Sequence, residues 1–216
     1  KPARPMLLTV DSYVKDVNRQ TISGGTNLIV HPAALYVGLR SPRTFVQPGE
    51  PFVVEAIATD LDGQAVANRE IRMRAVRLDW QFEQGSWREH EVEAQDCVVK
   101  SAAEVVKCSF TPKAGGRHRV TATILDDREH RNESELSLWV AGGQQHRQAG
   151  AEKDLAKEQV ELIPSQAEYK PGDVAELLVQ APFADAEGLL TVRRDGLVTS
   201  ERFKVAGASH TLRIPI

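Results

Sequence analysis

Cys97 and Cys108 are the chain's two cysteines and its best candidates for a covalent link. Between them runs Val-Val-Lys-Ser-Ala-Ala-Glu-Val-Val-Lys, two short β-branched runs about a turn. A hairpin turning near Ala102-Ala103 sets Cys97 opposite Cys108 and Val99 opposite Val106, a register that predicts a disulfide. Closing so short a loop adds about 2–3 kcal/mol and points to an oxidising compartment, the periplasm or the cell exterior. The other reading is a pair of buried thiols in a reducing compartment.

Other chemistry-bearing residues are dispersed. His31, His90, His118, His130, His146 and His210 stand singly, without the i, i+4 spacing that metal ligation from one helix needs. Asp60-Leu-Asp62-Gly63, with Asp126-Asp127, offers hard oxygens of the kind calcium prefers, but Asp-Gly after a strand is first a hairpin turn. There is no phosphate-binding glycine loop, Gly-x-Ser-x-Gly elbow, His-Glu-x-x-His motif or dinucleotide fingerprint, so no catalytic, cofactor or metal residue is assigned. Trp80 and Trp87, with Phe82 between them, flank a turn at Gly85. They are candidates for contact with a partner, against the alternative that they cover one end of a sandwich. Asn132-Glu-Ser134 matches a glycosylation acceptor, meaningful only in a eukaryotic secreted protein.

The elements that position these residues are strands. Alternating or β-branched apolar patterns occupy 53–59, 70–78, 117–125, 135–140 and 174–180. Pro48-Gly49, Asp62-Gly63, Gly115-Gly116, Pro171-Gly172 and Asp195-Gly196 punctuate them, which predicts an all-β chain of immunoglobulin-like antiparallel sandwiches.

The chain also repeats. Residues 14–30 align without gaps on 124–140, an offset of 126 − 16 = 110 between Asp16 and Asp126. Phe45-Val-Gln-Pro48-Gly49-Glu50 recurs as Tyr169-Lys-Pro171-Gly172-Asp173, an offset of 171 − 48 = 123. The difference, 123 − 110 = 13, marks an insertion in the Gln-, Gly- and Ala-rich stretch after Trp139-Val140. Four parts are therefore expected: 1–34, the closing hairpin of one domain; 35–143, a complete sandwich; 144–157, a linker; and 158–216, the start of a further domain. A short helix is predicted over 152–159.

Composition agrees with a folded, globular chain. A 41% hydrophobic fraction supports a core, and 27 basic against 30 acidic residues give a net charge of −3 with no basic stripe for nucleic acid. No apolar run is long enough to span a membrane. The chain opens on Lys1-Pro2-Ala3-Arg4-Pro5 without an initiator Met, so it is expected to be an excised fragment.

Asp16-Val-Asn-Arg-Gln-Thr-Ile-Ser, Val30-His-Pro-Ala-Ala-Leu-Tyr-Val-Gly-Leu39 and Leu138-Trp-Val140-Ala-Gly resemble, in order, the bacterial α2-macroglobulin family. Tyr169-Lys-Pro-Gly-Asp173, Ala181-Pro-Phe183 and Gly188-Leu-Leu-Thr-Val-Arg-Arg-Asp-Gly196 are similar to that family's bait-bearing domain. The resemblance implies macroglobulin-like sandwiches in a periplasmic protease trap, lipid-anchored to the inner membrane, that performs no turnover. The implied partners are target proteases, through the bait region, a periplasmic peptidoglycan synthase and the other domains of the same protein. Cys97 and Cys108 fall where related domains carry a pair. Neither fits the family's thioester motif, Cys-x-x-Gln, since Val-Val-Lys follows Cys97 and Ser-Phe-Thr follows Cys108. The expected role is scaffold. The rivals are a repeat segment of a surface adhesin or receptor, binding through Trp80, Trp87 or loop tips, and an accessory domain of a secreted glycoside hydrolase.

Overall fold

The computed structural model describes residues 4–142, 160–181, 185–207 and 209–216. The linker expected at 144–157 and the helix expected over 152–159 lie outside the described residues. Among those described, every regular element is a strand.

Strands β1 (Met6–Lys15) and β2 (Thr21–Val30) form a hairpin that is exposed on both faces. Strands β3 (Tyr36–Arg40), β5 (Phe52–Thr59) and β8 (Val106–Phe110) make a three-stranded sheet. A five-stranded sheet faces it, in the order β4 (Phe45–Val46), β10 (Arg131–Val140), β9 (Gly116–Leu125), β6 (Glu70–Glu83), β7 (Ser86–Lys100). Pairing is antiparallel except where the two residues of β4 run parallel to β10. Two further sheets follow: β11 (Glu161–Pro164), β12 (Val174–Gln180) and β15 (Ser209–Pro215) in one, β13 (Ala186–Arg193) and β14 (Leu197–Val205) in the other. The chain is thus all-β, built as tandem immunoglobulin-like sandwiches.

Period-two patterning explains the central sandwich. Along β5 and β9 every second residue is buried, and Val54, Ile71, Met73, Val120, Ile124 and Leu138 meet in one core between the two sheets. At Glu93, whose φ is 55°, the β6–β7 pair takes an extra residue on β7, a bulge. Beyond it β6 outruns β9, whose last partner pair is Arg77 with His118. The remaining residues of the hairpin, 78–83 with 86–91, project about 20 Å past the sheet. Gln84 and Gly85 close this arm with positive φ of 49° and 83°, as a two-residue turn requires.

The aligned segments share geometry. Met6↔Val30 through Lys15↔Thr21 repeats as Gly116↔Val140 through Leu125↔Arg131, pair for pair at the offset of 110. The residues of β1–β2 that match the core face of β9–β10 are mostly apolar, among them Met6, Leu8, Val10, Leu28 and Val30. Each of these five is between 44% and 54% exposed.

Candidate functional site

The chemistry of this chain lies in its closures, and both edges of the central sandwich have one. At the β7–β8 edge the sulfurs of Cys97 and Cys108 are bonded, with Cα atoms 6.2 Å apart. The hairpin expected between them does not form. Cys97 pairs with Met73 of β6, and Cys108 pairs with Val54 of β5, in the opposite sheet. The bridge therefore joins two sheets instead of two neighbouring strands.

Ser101, 4% exposed at the end of β7, is the reason the chain crosses. Its N–H donates to the Arg69 carbonyl at 2.8 Å and its carbonyl accepts from the Asn68 N–H at 2.8 Å. Its hydroxyl donates to the Val66 carbonyl at 2.6 Å and accepts from the Arg69 N–H at 2.9 Å. Held on 66–69 by these bonds, the chain goes over to the facing sheet and does not turn back on β7.

At the β3–β10 edge two side chains grip one backbone unit. The Val37 N–H donates to Asn132 Oδ1 at 2.9 Å, and the Ser134 hydroxyl donates to the Val37 carbonyl at 2.6 Å. Asn132 is 1% exposed, so the matched glycosylation motif is in fact a structural clamp.

One turn recurs three times. Asp16 Oδ1 accepts the N–H groups of Asn18 and Gln20, each at 2.8 Å. Asp60 Oδ1 accepts those of Asp62 at 3.0 Å and Gln64 at 2.8 Å, and Asp126 Oδ1 those of Arg128 and His130, both at 2.9 Å. In each the residue three beyond the Asp has positive φ: Arg19 at 66°, Gly63 at 82°, Glu129 at 60°. Of the carboxylates considered for calcium, Asp60 and Asp126 are thus engaged by backbone donors and Asp127 by the Arg69 guanidinium. Among the described residues no group of three or more His, Cys, Asp or Glu is placed to hold a metal ion.

Asp126 differs from the other two in using its second oxygen, which accepts the Ala34 N–H at 2.9 Å and lies 3.3 Å from His130 Nδ1. Burial alone raises this carboxyl. The N–H donors of Ala34, His130 and Arg128, with the charge of His130, outweigh burial and hold it at about 2. Its bond to Ala34 helps fasten the 31–35 connection to the sandwich, beside the buried Ala33 and Leu35.

The Pro-Gly repeat also holds in three dimensions. Gln47 N–H donates to Glu50 Oε2 at 2.9 Å and Lys170 N–H to Asp173 Oδ2 at 2.7 Å. Gly49 and Gly172 take φ of 79° and 93° in the same position.

The aromatic candidates sit on the projecting arm. Trp80 is half-buried and pairs with Glu89, Phe82 is 60% exposed, and the backbone of Trp87 pairs with Phe82. The outer face of the five-stranded sheet holds a shallow hollow of about 860 Å³ lined by charges of both signs, including Arg72, Arg74, Arg119, Glu91, Glu133 and Glu135. Arg119 alone reaches Glu89, Glu91 and Glu135, so this face offers no single-sign field to a nucleic acid.

A second set of contacts was not visible in local sequence. Arg43 donates to Glu50 at 2.7 Å and to Glu176 at 2.8 Å, and Phe45, fully buried, packs with Ala141 and Leu178 apart from the main core. The only sequence signal was the repeat of the Phe45 and Tyr169 motifs, which says nothing of their meeting.

No protein-family model matches the chain. Over 98% of its length it is 24% identical to the alpha-2-macroglobulin homolog of a Nostoc species, and it spans 11% of that relative's length. It is 18% identical to Escherichia coli alpha-2-macroglobulin in its native conformation, covering 98% of this chain and 14% of that one, with a TM-score of 0.41. Salmonella alpha-2-macroglobulin reacted with methylamine gives 18% identity, the same coverage and a TM-score of 0.39. The chain is homologous to the bacterial alpha-2-macroglobulins.

Proposed function

We propose that this chain, homologous to bacterial alpha-2-macroglobulins, is a scaffold segment of a periplasmic protease trap of that kind. The observation that carries the reading is the sequence match, which runs through 98% of the chain without requiring any catalytic group within it. In this reading residues 1–34 close one macroglobulin-like domain, 35–143 form a complete one, 144–157 connect, and 158–216 begin the bait-bearing domain. The inter-sheet disulfide supports an oxidising compartment, and an inner-membrane lipid anchor on the whole protein belongs to the same reading. The scaffold's task is to hold sandwiches in place while a protease cuts elsewhere. Trp80 and Trp87, on the arm, are where we place contact with a neighbouring domain or partner.

The test is to mix the full-length protein with several unrelated proteases, then measure compaction by size-exclusion chromatography and the protease's residual activity on large and small substrates. Compaction after a single cut, with large substrates excluded and small ones still cleaved, is expected. Cleavage without compaction, leaving the protease fully active on protein substrates, sinks the proposal.

A further inference from the structure

We infer that the central sandwich and the β11–β12–β15 sheet form one rigid unit held by a seam around Phe45 and Arg43, so that the intervening segment 143–159 is not the pivot between them. The inference stands whether or not the parent protein traps proteases.

Backbone bonds set the seam's register. The Thr44 carbonyl accepts the Trp139 N–H at 3.0 Å, while the Thr44 N–H donates across to the Ser165 carbonyl at 3.0 Å. Ser165 in turn donates its N–H to the Glu176 carbonyl at 2.8 Å, and the Thr44 hydroxyl donates to the Pro164 carbonyl. One peptide edge is thus tied to β10 on one side and to the end of β11 on the other. A swivel between the two bodies has to break these bonds together.

An apolar centre lies beneath them. Phe45 and Leu178 are both 0% exposed and pack with Ala141, flanked by Trp139 and Ile163. Side chains from both bodies contribute, and this cluster is separate from the sandwich core. Around it runs a polar rim: Glu50, Arg43, Glu176 and Arg213 in an alternating chain of charges, and Gln47 donating to the Thr211 hydroxyl at 3.1 Å. A buried aromatic centre with a hydrogen-bonded rim is the anatomy of a specific interface, where loosely joined domains have a modest polar one.

The chain's own exit point belongs to the seam. Gly142, the residue before the segment, donates its N–H to Ser209 Oγ of β15 at 2.8 Å. The segment therefore departs from a point already fixed to the body it leads to, and its length has little bearing on how the two bodies sit.

The experiment uses the whole chain carrying spin labels at Leu61→Cys and Glu168→Cys, with the native disulfide left oxidised. Pulsed dipolar spectroscopy measures the distance distribution before and after insertion of about ten Gly/Ser residues between Gln148 and Ala149, a flexible addition. A single narrow peak, the same in both, is expected. A peak that broadens or moves with the insertion overturns the inference. In a second arm, Phe45→Ser is expected to abolish the narrow peak while the strand signal in circular dichroism and the Cys97–Cys108 bond persist. A folded Phe45→Ser chain that keeps the narrow peak also overturns it, and if that variant does not fold, the insertion arm decides.

Discussion

Replacing Asp126 by asparagine separates the closing of a turn from the fastening of a junction. The residue is 8% exposed, and its two oxygens take three backbone N–H groups, from Arg128, His130 and Ala34. Asparagine keeps Oδ1 for the turn but sets an NH₂ group against the Ala34 N–H and removes the charge from every bond. A donor so stranded costs about 1–3 kcal/mol. Asp60 supplies the comparison within the same molecule, since it makes the same turn with one oxygen at a more exposed site. Asp60→Asn is expected to stay within about 0.5 kcal/mol of the parent. The sign with pH follows from the depressed carboxyl: the folded value, about 2, lies below the ordinary 3.8, so the contribution is complete above 3.8 and is lost as pH falls through about 2. Urea unfolding followed by tryptophan fluorescence, well above pH 3.8 and again near pH 2, reads the difference. Equal losses for the two substitutions, or an Asp126→Asn penalty that persists unchanged to low pH, refute this account.

Three further outcomes are expected. Cys97→Ser with Cys108→Ser lowers stability by about 2–3 kcal/mol, as reduction of the parent does, and thiol titration of the denatured, unreduced chain finds no free cysteine. Asn132→Ala strands the Val37 N–H at the β3–β10 edge, costs about 1–3 kcal/mol, and speeds hydrogen exchange at the Val37 amide while leaving β6 protected. Gly49→Ala, at φ 79° with open space where the Cβ would lie, costs about 1 kcal/mol in a denaturant titration, from backbone conformation alone.

How far the sequence could be read follows from where each signal resides. The Asp62-Gly63 and Pro-Gly turns were legible because each is built from a few consecutive residues, whereas Asp16 and Asp126 showed in the sequence only as the anchors of the 110-residue repeat, and the structure makes them heads of turns. The matched registers of β1–β2 and β9–β10 follow from those turns. Strand β7 was harder to see, since Arg-Glu-His-Glu-Val-Glu-Ala-Gln-Asp masks it: as an edge strand it is mostly exposed, and the bulge at Glu93 breaks its alternation. The cysteine register failed for a different reason. Two β-branched runs about a short connection suit a hairpin and an inter-sheet crossover equally, and what decides is Ser101 gripping residues 66–69, more than thirty positions away. The glycosylation motif misled in the same way, because burial of Asn132 depends on β3 lying across it. Arg43 and Glu176, 133 positions apart, carried no local trace of their pairing.

The two junctions of this chain solve one mechanical problem differently, and the difference locates the flexibility of the whole. Between β2 and β3 only residues 31–35 intervene, and they are fastened to the following sandwich by a low-pKa carboxylate from a turn at its far end. Between β10 and β11 the covalent path is longer, yet the strand before it, the edge β4 and the strands after it are bonded to one another directly. A short connection transmits orientation through the chain itself, whereas a long one transmits it only if a seam does so instead. The insertion that the repeat arithmetic predicts can therefore enter the chain without loosening it, since in our proposal Phe45 and Arg43 carry the alignment that a five-residue connection carries at the other end. Rearrangement in a protein built this way is expected where neither device is present, and not between these two bodies.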